Sequence, residues 1–345
     1  MPELNLNLVF GSQPGKFQPI FDGRVKPEGI TLNCSRMPTD RLFWHIPTKD
    51  DIDVAELSLT GTLWGKQHGK RWTALPIFPA WVFGCHTETL VRRDAGIYRP
   101  EDLRGKRVGV PEYPVTAIAW IRDAFEKNYG VRREDIRWFE ERAPEYSHYR
   151  PLGYKPPAGV SVEIIPKEKR LSEMLIAGEL DAVTRYFGRA ENANRAEAGD
   201  RSTLPLAELA AHPQIRWLYD DRKEAAARYC KVLGWPQPIH CVIVKTEIVD
   251  KDPTVPARLV RAFTEAARLA PNSPGEHSNV HAMSYRLTAA EEAAAIGADF
   301  MPVGLRRQNR AAVTRMLELC WKDGYIDGGK PVTVDEYFHP STLAM

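Results

Sequence analysis

Hydrophobic and polar positions along the chain follow two periods, one typical of strands and one typical of helices. Residues 4–10 alternate leucine with asparagine before Val-Phe, which predicts a strand with one buried face. Residues 115–128 place Ile118, Ile121 and Phe125 at helical spacing, which predicts an amphipathic helix. Strands are predicted at 4–10, 30–34, 53–59, 73–78, 88–93, 105–110, 161–165, 180–184 and 239–244, and helices at 115–128, 171–178, 206–211, 222–233, 256–270 and 304–323. Strands that alternate with helices indicate α/β lobes with largely parallel sheets.

Length and charge narrow the class of protein. A chain of 345 residues exceeds the usual size of a single hydrophobic core, so two lobes are expected. The 47 Lys and Arg residues against 45 Asp and Glu give a net charge of +2, which is too balanced for a nucleic-acid-binding protein. No apolar run approaches the ~20 residues that span a bilayer, so no membrane association is expected.

The N-terminus and the cysteines predict a cytoplasmic protein. The first strand follows Met1 almost directly, without the basic and apolar regions of a secretory signal. The five cysteines, at 34, 85, 230, 241 and 320, are odd in number and form no CxxC pair. This pattern favours free thiols in a reducing compartment.

Residues 100–129 form a strand, loop and helix that bear on ligand binding. The predicted strand ends near Val110, and the helix begins after Pro114. The N-terminus of such a helix presents free N–H groups and a positive dipole end, which favour an anion. The alternative is an ordinary turn between a strand and a helix.

Three segments resemble proteins of the periplasmic-binding-protein fold: 102–110 (Asp-Leu-Arg-Gly-Lys-Arg-Val-Gly-Val), 171–182 and 239–249. The resemblance implies a two-lobed type 2 fold with a hinge and a central ligand cleft between the lobes. Lobe 1 would comprise residues 1–106 and 240–345, and lobe 2 residues 107–239. The hinge would lie near 107–110 and 238–241, so replacing Gly109 is expected to impair turnover more than folding.

A further set of motifs resembles the 4,5-dihydroxyphthalate decarboxylases over about residues 5–340. The motifs are 53–59 (Asp-Val-Ala-Glu-Leu-Ser-Leu), 76–79 (Pro-Ile-Phe-Pro), 109–117, Ile239-His240, 299–304 (Asp-Phe-Met-Pro-Val-Gly) and Asn309-Arg310. Where the family more often carries arginines, this chain has Ala80-Trp81 and Phe83-Gly84-Cys85-His86. The exact aromatic acid therefore stays undecided.

The family resemblance implies a carboxy-lyase (an aromatic acid decarboxylase) of aromatic compound catabolism and phthalate degradation. It would convert 4,5-dihydroxyphthalate to 3,4-dihydroxybenzoate and CO₂ by acid/base ring protonation. Two alternatives share the fold: a non-catalytic solute-binding protein for a small carboxylate, and an enzyme of a different reaction. A homo-oligomer is also compatible with the family, although no exposed apolar stripe in the sequence argues for one.

The chemistry of this reaction requires a base for the phenol, an acid near the ring carbon, and donors for any retained carboxylate. The ring hydroxyl itself supplies electron density, so no organic cofactor is expected. His240 is the first candidate for acid or base, because histidine ordinarily titrates near neutral pH. Glu112, between the 105–110 strand and the next helix, is the second. Which of the two is the acid is left undecided, and each has a structural alternative: a hinge histidine, and a charge at a helix N-terminus.

Further residues are candidates for substrate binding. They are Ser58, Thr60, His86, Tyr113, Thr116 and Arg185. Hydroxyls at strand ends often bind ligands in α/β sheets, an arginine binds carboxylate in bidentate fashion, and an aromatic ring stacks on the substrate. The alternatives are helix caps, core aromatics and a surface arginine. The histidines at 45, 68, 86 and 240 show no metal-ligand spacing, so no metal is expected.

Overall fold

The computed structural model describes residues 3–49, 51–185, 187–188, 199–234, 237–269, 302–326 and 329–345. The strands are β1 (Leu4–Phe10), β2 (Ile30–Arg36), β3 (Val54–Ser58), β4 (Trp72–Leu75), β5 (Trp81–Val82), β6 (Thr89–Arg92), β7 (Arg107–Val110), β8 (Arg137–Glu140), β9 (Ser161–Ile164), β10 (Ala182–Thr184), β11 (Ile215–Trp217), β12 (Gln237–Pro238) and β13 (His240–Lys245). The helices are α1 (Gln18–Phe21), α2 (Thr39–Thr48), α3 (Leu59–Gln67), α4 (Thr116–Tyr129), α5 (Leu171–Ala177), α6 (Leu206–Ala211), α7 (Arg222–Leu233), α8 (Thr246–Lys251), α9 (Val255–Leu269), α10 (Arg307–Lys322) and α11 (Val334–Tyr337).

The chain forms two compact units. Phe83–Val232 makes up one, called the inserted unit, and the described residues before Phe83 and from Leu233 onward make up the other, called the flanking unit. Each unit has its own large sheet. A fold built from two units with alternating strands and helices agrees with the α/β prediction.

The flanking unit is built on a five-stranded sheet in the order β2-β1-β3-β13-β4. The strand β1 runs parallel to β2 and β3, whereas β13 runs antiparallel to β3 and β4. The carboxyl ends of β1 and β3 and the amino end of β13 therefore share one edge of the sheet. Ligands of open α/β sheets usually bind at such an edge.

The core of the flanking unit confirms the alternating pattern of the first strand. Leu6, Leu8 and Phe10 of β1 are buried, and α9 packs Leu259 and Phe263 into the same cluster. The ring of Phe263 stacks on that of Phe10 at a centroid distance of 6.1 Å. Burying each of these side chains contributes about 1.5–3 kcal/mol, which holds β1 firmly in register.

The inserted unit is built on a six-stranded sheet in the order β11-β6-β10-β7-β8-β9. The strands β10, β7, β8 and β9 run parallel, and β6 runs antiparallel to β10 and β11. The predicted inward residues of α4, Ile118, Ile121 and Phe125, are buried. Gly130 ends this helix with a φ of 62°, a conformation that glycine adopts without strain.

The boundaries of the two units differ from the predicted ones at 106/107 and 239/240. The strand β6 belongs to the inserted unit, because its backbone pairs with β10 and β11. The strand β12 belongs to the flanking unit, because it pairs with β5. Residues 107–110, predicted to lie at a hinge, form β7, which is bonded to β10 on one side and β8 on the other.

The helix α3 follows β3 without a loop, in a segment that the sequence did not predict to be helical. Ser58 caps the helix, since its hydroxyl accepts the Gly61 N–H at 3.0 Å. Gly65 allows close packing, because a Cβ there would lie 2.1 Å from the Trp72 ring. The cap and this packing stabilise a helix that its two glycines and two threonines disfavour.

One sequence prediction lies partly outside the residues that the structure describes. In the motif at 299–304, residues 299–301 lie outside the described residues. The rest of the motif is held by Asn309, whose amide donates hydrogen bonds to the carbonyl groups of Pro302 and Gly304.

No helix among the described residues is long and apolar enough to cross a membrane.

Candidate active site

A buried acid–histidine pair lies at the shared edge of the flanking sheet. His240, the first residue of β13, pairs with Ser58 in the antiparallel register, and Glu56 lies two residues earlier on β3. Side chains two apart on a strand point to the same face, so Glu56 and His240 are diagonal neighbours. The His240 Nδ1 atom lies 2.5 Å from Glu56 Oε1.

The end of β1 completes the environment of Glu56. Its Oε2 atom accepts the N–H groups of Gly11 at 2.8 Å and of Ser12 at 2.7 Å. Its Oε1 atom accepts the Ser12 hydroxyl at 2.5 Å. With His240, four donors surround one carboxylate whose residue has 0% of its surface exposed. Because a carboxylate has about four lone-pair sites, Glu56 is fully coordinated and cannot rotate.

Glu56 is ionised at neutral pH. Burial alone would raise the pKa of Glu56, but the charge and hydrogen bond of His240, together with the Ser12 hydroxyl and N–H, lower it to about 2. An ionised carboxylate offers no proton, so the His240 Nδ1 must carry one and donate it to Oε1. The other ring nitrogen, Nε2, is then the atom of His240 that can exchange a proton with a substrate.

The ring of His240 is also held by an aromatic contact. Phe43 of α2 packs against it edge to face, with the ring centroids 4.8 Å apart and the planes at 80°. Such a contact contributes about 0.5–1.5 kcal/mol beyond the area that it buries. His240 is 6% exposed, so its ring is largely sheltered from bulk water. The two contacts, with Glu56 and with Phe43, fix both the tautomer and the plane of the imidazole.

Two predicted substrate-binding residues lie at the same edge of the flanking sheet as His240. Ser58 and Thr60 are both buried. The Ser58 hydroxyl caps α3, which is the structural alternative considered for it. Their predicted contact with substrate stays a prediction.

Glu112 lies in the inserted unit and is bonded within it. Its carboxylate accepts the Ser147 hydroxyl and the N–H of His148 at 3.3 Å, and it pairs with Arg142 at 3.2 Å. Burial raises the pKa of Glu112, Arg142 opposes this and nearby Glu140 adds to it. These contacts tie the end of β7 to the segment after β8. Its role as acid or base stays a prediction.

Tyr113 and Thr116 follow Glu112 in the inserted unit. Tyr113 is buried, with its N–H bonded to Glu140 at 2.8 Å and its ring 4.0 Å from the Arg122 guanidinium. Thr116 is buried at the first position of α4. Both positions are compatible with a core role, and their predicted contact with substrate is untested.

His86 and Arg185 occupy a buried part of the same unit. Both ring nitrogens of His86 lack a hydrogen-bond partner among the residues that the structure describes, and the rings of Tyr219 and Tyr229 pack on it at 5.4 and 5.2 Å. Burial lowers the pKa of His86 to about 3, so the ring is neutral at pH 7. Arg185 pairs with Glu88 at 2.8 Å, and both side chains are 4% exposed. Neither residue thus presents an uncompensated positive charge.

The structure therefore divides the predicted site residues between the units. His240, Ser58 and Thr60 lie in the flanking unit, and Glu112, Tyr113, Thr116, His86 and Arg185 lie in the inserted unit. Sequence reasoning missed Glu56 and Ser12. The signal for Glu56 was a single charged residue inside the apolar run Val-Ala-Glu-Leu of β3. Among the described residues, no cluster of three or more histidine, cysteine or acidic side chains could hold a metal ion.

Comparison with solved structures identifies the fold of the chain. The periplasmic sulfonate-binding protein SsuA from Methylobacillus flagellatus KT matches 100% of this chain and 94% of its own, with a TM-score of 0.57 and 10% identity. The desulfurization enzyme DSZB matches 98% of this chain and 97% of its own, with a TM-score of 0.51 and 14% identity. The chain has the type 2 fold of periplasmic binding proteins, a fold that both a binding protein and an enzyme share.

Comparison with curated proteins identifies the family of the chain. A 4,5-dihydroxyphthalate decarboxylase from Comamonas testosteroni is 29% identical over 349 residues, which cover 99% of this chain and 98% of the relative. Another from Pseudomonas putida is 32% identical over 242 residues, which cover 70% of this chain and 87% of the relative. The chain belongs to the 4,5-dihydroxyphthalate decarboxylase family, as the motifs indicated. No family model matches the chain.

Proposed function

We propose that the protein is a carboxy-lyase that converts 4,5-dihydroxyphthalate to 3,4-dihydroxybenzoate and CO₂. Both curated relatives bear the name of this activity, and one aligns over nearly the whole chain. The observation that carries the proposal is the buried Glu56–His240 pair, a proton-transfer group at the ligand-binding edge of an α/β sheet. The five cysteines form no disulfide bond in the described part of the chain, which supports a reducing compartment such as the cytoplasm.

The reaction replaces a carbon–carbon bond with a carbon–hydrogen bond. The electron pair of the bond to the carboxylate stays on the ring carbon, CO₂ leaves, and the carbon takes one proton. In 4,5-dihydroxyphthalate each carboxylate lies para to a hydroxyl, which feeds electron density toward that carbon. Because the substrate supplies this electron density, the protein's main task is proton transfer in a sheltered site, without an organic cofactor.

His240 is the group that we assign to this proton transfer. Its Nε2 atom can give or take a proton while Nδ1 stays bonded to Glu56. General acid–base catalysis of this kind contributes about 10²–10⁴-fold to a rate. The expected effect of removing the imidazole is therefore a loss of that size.

A decarboxylation assay tests the proposal. Purified protein treated with a chelator is incubated with 4,5-dihydroxyphthalate, and CO₂ and 3,4-dihydroxybenzoate are measured. The expected result is turnover that survives the chelator and falls about 10²–10⁴-fold in His240→Ala. Binding of the substrate without release of CO₂ would instead support a solute-binding protein, the alternative that the fold alone cannot exclude.

A second arm of the assay tests the substrate. Other hydroxylated aromatic acids that carry one carboxylate are compared with 4,5-dihydroxyphthalate at equal concentration. A higher kcat/KM with one of them would assign that acid as the substrate, and would agree with the uncharged side chains of Ala80 and Trp81, where the family resemblance led us to expect an arginine. Turnover of 4,5-dihydroxyphthalate at the highest kcat/KM supports the proposal as stated.

A further inference from the structure

Glu56 has the contacts of a residue that acts through His240. We infer that Glu56 is a positioning residue for the decarboxylation: it fixes the tautomer of His240 and stabilises its protonated form, which then serves as the acid that protonates the ring carbon. This inference rests on the proposed function. It assigns one of the two proton-transfer roles that the sequence left undecided.

The hydrogen bonds around Glu56 show why it positions rather than reacts. Both of its oxygen atoms are occupied, one by the N–H groups of Gly11 and Ser12 and the other by the Ser12 hydroxyl and His240. It is fully buried at the centre of β3. The oxygen atoms of a carboxylate held in this way are taken up by protein donors, and His240 is the ionisable side chain to which it is bonded.

The buried charge of Glu56 favours the acid role for His240. A protonated imidazole neutralises the carboxylate, whereas a neutral imidazole leaves a buried negative charge compensated only by neutral donors. Decarboxylation consumes one proton at the ring carbon in each turnover. The imidazolium gives this proton from Nε2 to the carbon that loses CO₂, and it regains a proton from solvent when the product leaves.

A second buried glutamate shows what the histidine contributes. Glu141 of the inserted unit accepts the same kinds of donor: a serine hydroxyl, from Ser202, and two backbone N–H groups, from Leu171 at 3.2 Å and Arg201 at 3.1 Å. Burial and the nearby charge of Asp200 raise the pKa of Glu141, and the pKa of Glu56 is instead lowered to about 2. The two environments differ in the imidazole of His240 beside Glu56 and in the carboxylate of Asp200 near Glu141.

The two carboxylates provide a matched pair of variants. In Glu56→Gln, the amide oxygen must face the two backbone N–H groups of Gly11 and Ser12, because only an acceptor fits there. The amide NH₂ then faces His240 Nδ1, which has to accept, so the ring keeps a proton on Nε2 only. Glu141→Gln makes the same chemical change in the inserted unit, at a carboxylate bonded to Ser202 and backbone N–H groups.

The expected results separate positioning from simple loss of stability. Glu56→Gln should lower kcat about 10²–10⁴-fold with little change in KM, as for loss of a transition-state interaction. The fall of kcat/KM that deprotonation of the acid causes at high pH should move to lower pH. Nitrogen-15 spectra of histidine-labelled protein without substrate should show both ring nitrogens of His240 protonated in the wild type and only Nε2 protonated in Glu56→Gln. Glu141→Gln should keep the wild-type pH profile and the wild-type His240 signals.

Other outcomes would overturn the inference, and they differ from a failure of the proposed function. If the wild type decarboxylates and Glu56→Gln keeps its kcat and pH profile, the positioning role is refuted and the function stands. Activity of the wild type that rises with pH through the titration of His240 would make His240 the base and refute the acid role. If the wild type does not decarboxylate, the proposed function fails, whereas the spectra still test the tautomer.

A milder variant covers the case in which Glu56→Gln does not fold. Ser12→Ala removes one hydrogen bond to Glu56 Oε1 and leaves the carboxylate charged. It should lower kcat about fivefold, the value of one hydrogen bond, and should move the high-pH fall of kcat/KM to higher pH, opposite to Glu56→Gln, because the carboxylate keeps its charge and loses one neutral donor. Ser202→Ala is its matched control at Glu141, and a pH profile that shifts equally in both serine variants would count against the inference.

Discussion

Gly109 lies where an added methyl group would clash with side chains in the core of the inserted unit. It occupies the middle of β7, paired with Val183 on one side and Phe139 on the other. A Cβ at this position would lie 2.7 Å from Leu171 Cδ2, 2.9 Å from Leu180 Cδ1 and 3.1 Å from Val183 Cγ1. All three neighbours belong to one buried hydrophobic cluster. The glycine is therefore required by packing, and its backbone conformation is an ordinary extended one.

The cost of Gly109→Ala follows from two opposing effects. Overfilling a packed core lowers the free energy of unfolding by about 1–3 kcal/mol. Replacing glycine with alanine raises it by about 0.4–1 kcal/mol, because alanine restricts the unfolded chain. The net loss of unfolding free energy should be about 1–2 kcal/mol. In urea, this corresponds to a lower midpoint by on the order of 0.5–1 M.

Urea unfolding and hydrogen exchange together measure this effect. Peptides that cover β7 and β8 should exchange faster in Gly109→Ala than in the wild type. Gly329→Ala is the control, since nothing lies within 4 Å of a Cβ at that position, and its stability should be unchanged or slightly higher. If Gly109→Ala keeps wild-type stability and exchange but loses turnover, the packing argument is refuted and the hinge role predicted from the sequence is restored.

Two further substitutions test the electrostatics and the packing of the histidines. Burial lowers the pKa of His86 to about 3, so below about pH 6.5 the unfolded chain takes up a proton that the folded chain does not. The free energy of unfolding therefore decreases as the pH is lowered from 6.5 toward 3. When the pH is lowered from 7.5 to 5.5, the free energy of unfolding of His86→Met, a variant of similar side-chain volume, should decrease by about 1 kcal/mol less than that of the wild type in urea unfolding. An equal decrease in both proteins would contradict the buried neutral ring. Phe43→Leu removes the edge-to-face contact with His240 and should lower kcat about 3–10-fold with little change in KM, so a kcat equal to that of the wild type would show that the ring needs no such support.

The sequence predicted those elements whose local signals agree with their tertiary environment. The helices α4 and α7 have clear apolar periodicity, and they lie at or within one residue of their predicted bounds. The helix α3 was missed because its glycines and threonines are typical of a turn. Its stability comes from the Ser58 cap and from contact with Trp72, which is distant from Gly65 in the chain until the fold forms.

The site was only partly predictable for a similar reason. His240 could be selected because an isolated histidine precedes an apolar strand within a family motif. Its partner Glu56 is 184 residues away, and only the pairing of β3 with β13 brings the two together. The sequence alone did not reveal that Arg185 is neutralised by Glu88, since 97 residues separate the pair. Long-range pairing of charges decides which polar residues are available for chemistry.

The measurement that tests the central claim most directly is decarboxylation of 4,5-dihydroxyphthalate in D₂O, with the product examined by mass spectrometry and proton NMR. Ring protonation predicts 3,4-dihydroxybenzoate with one non-exchangeable deuterium, on the carbon next to the remaining carboxylate. It also predicts that His240→Ala forms this product about 10²–10⁴-fold more slowly. Absence of product from the wild-type protein, or product without deuterium at that carbon, would contradict the account.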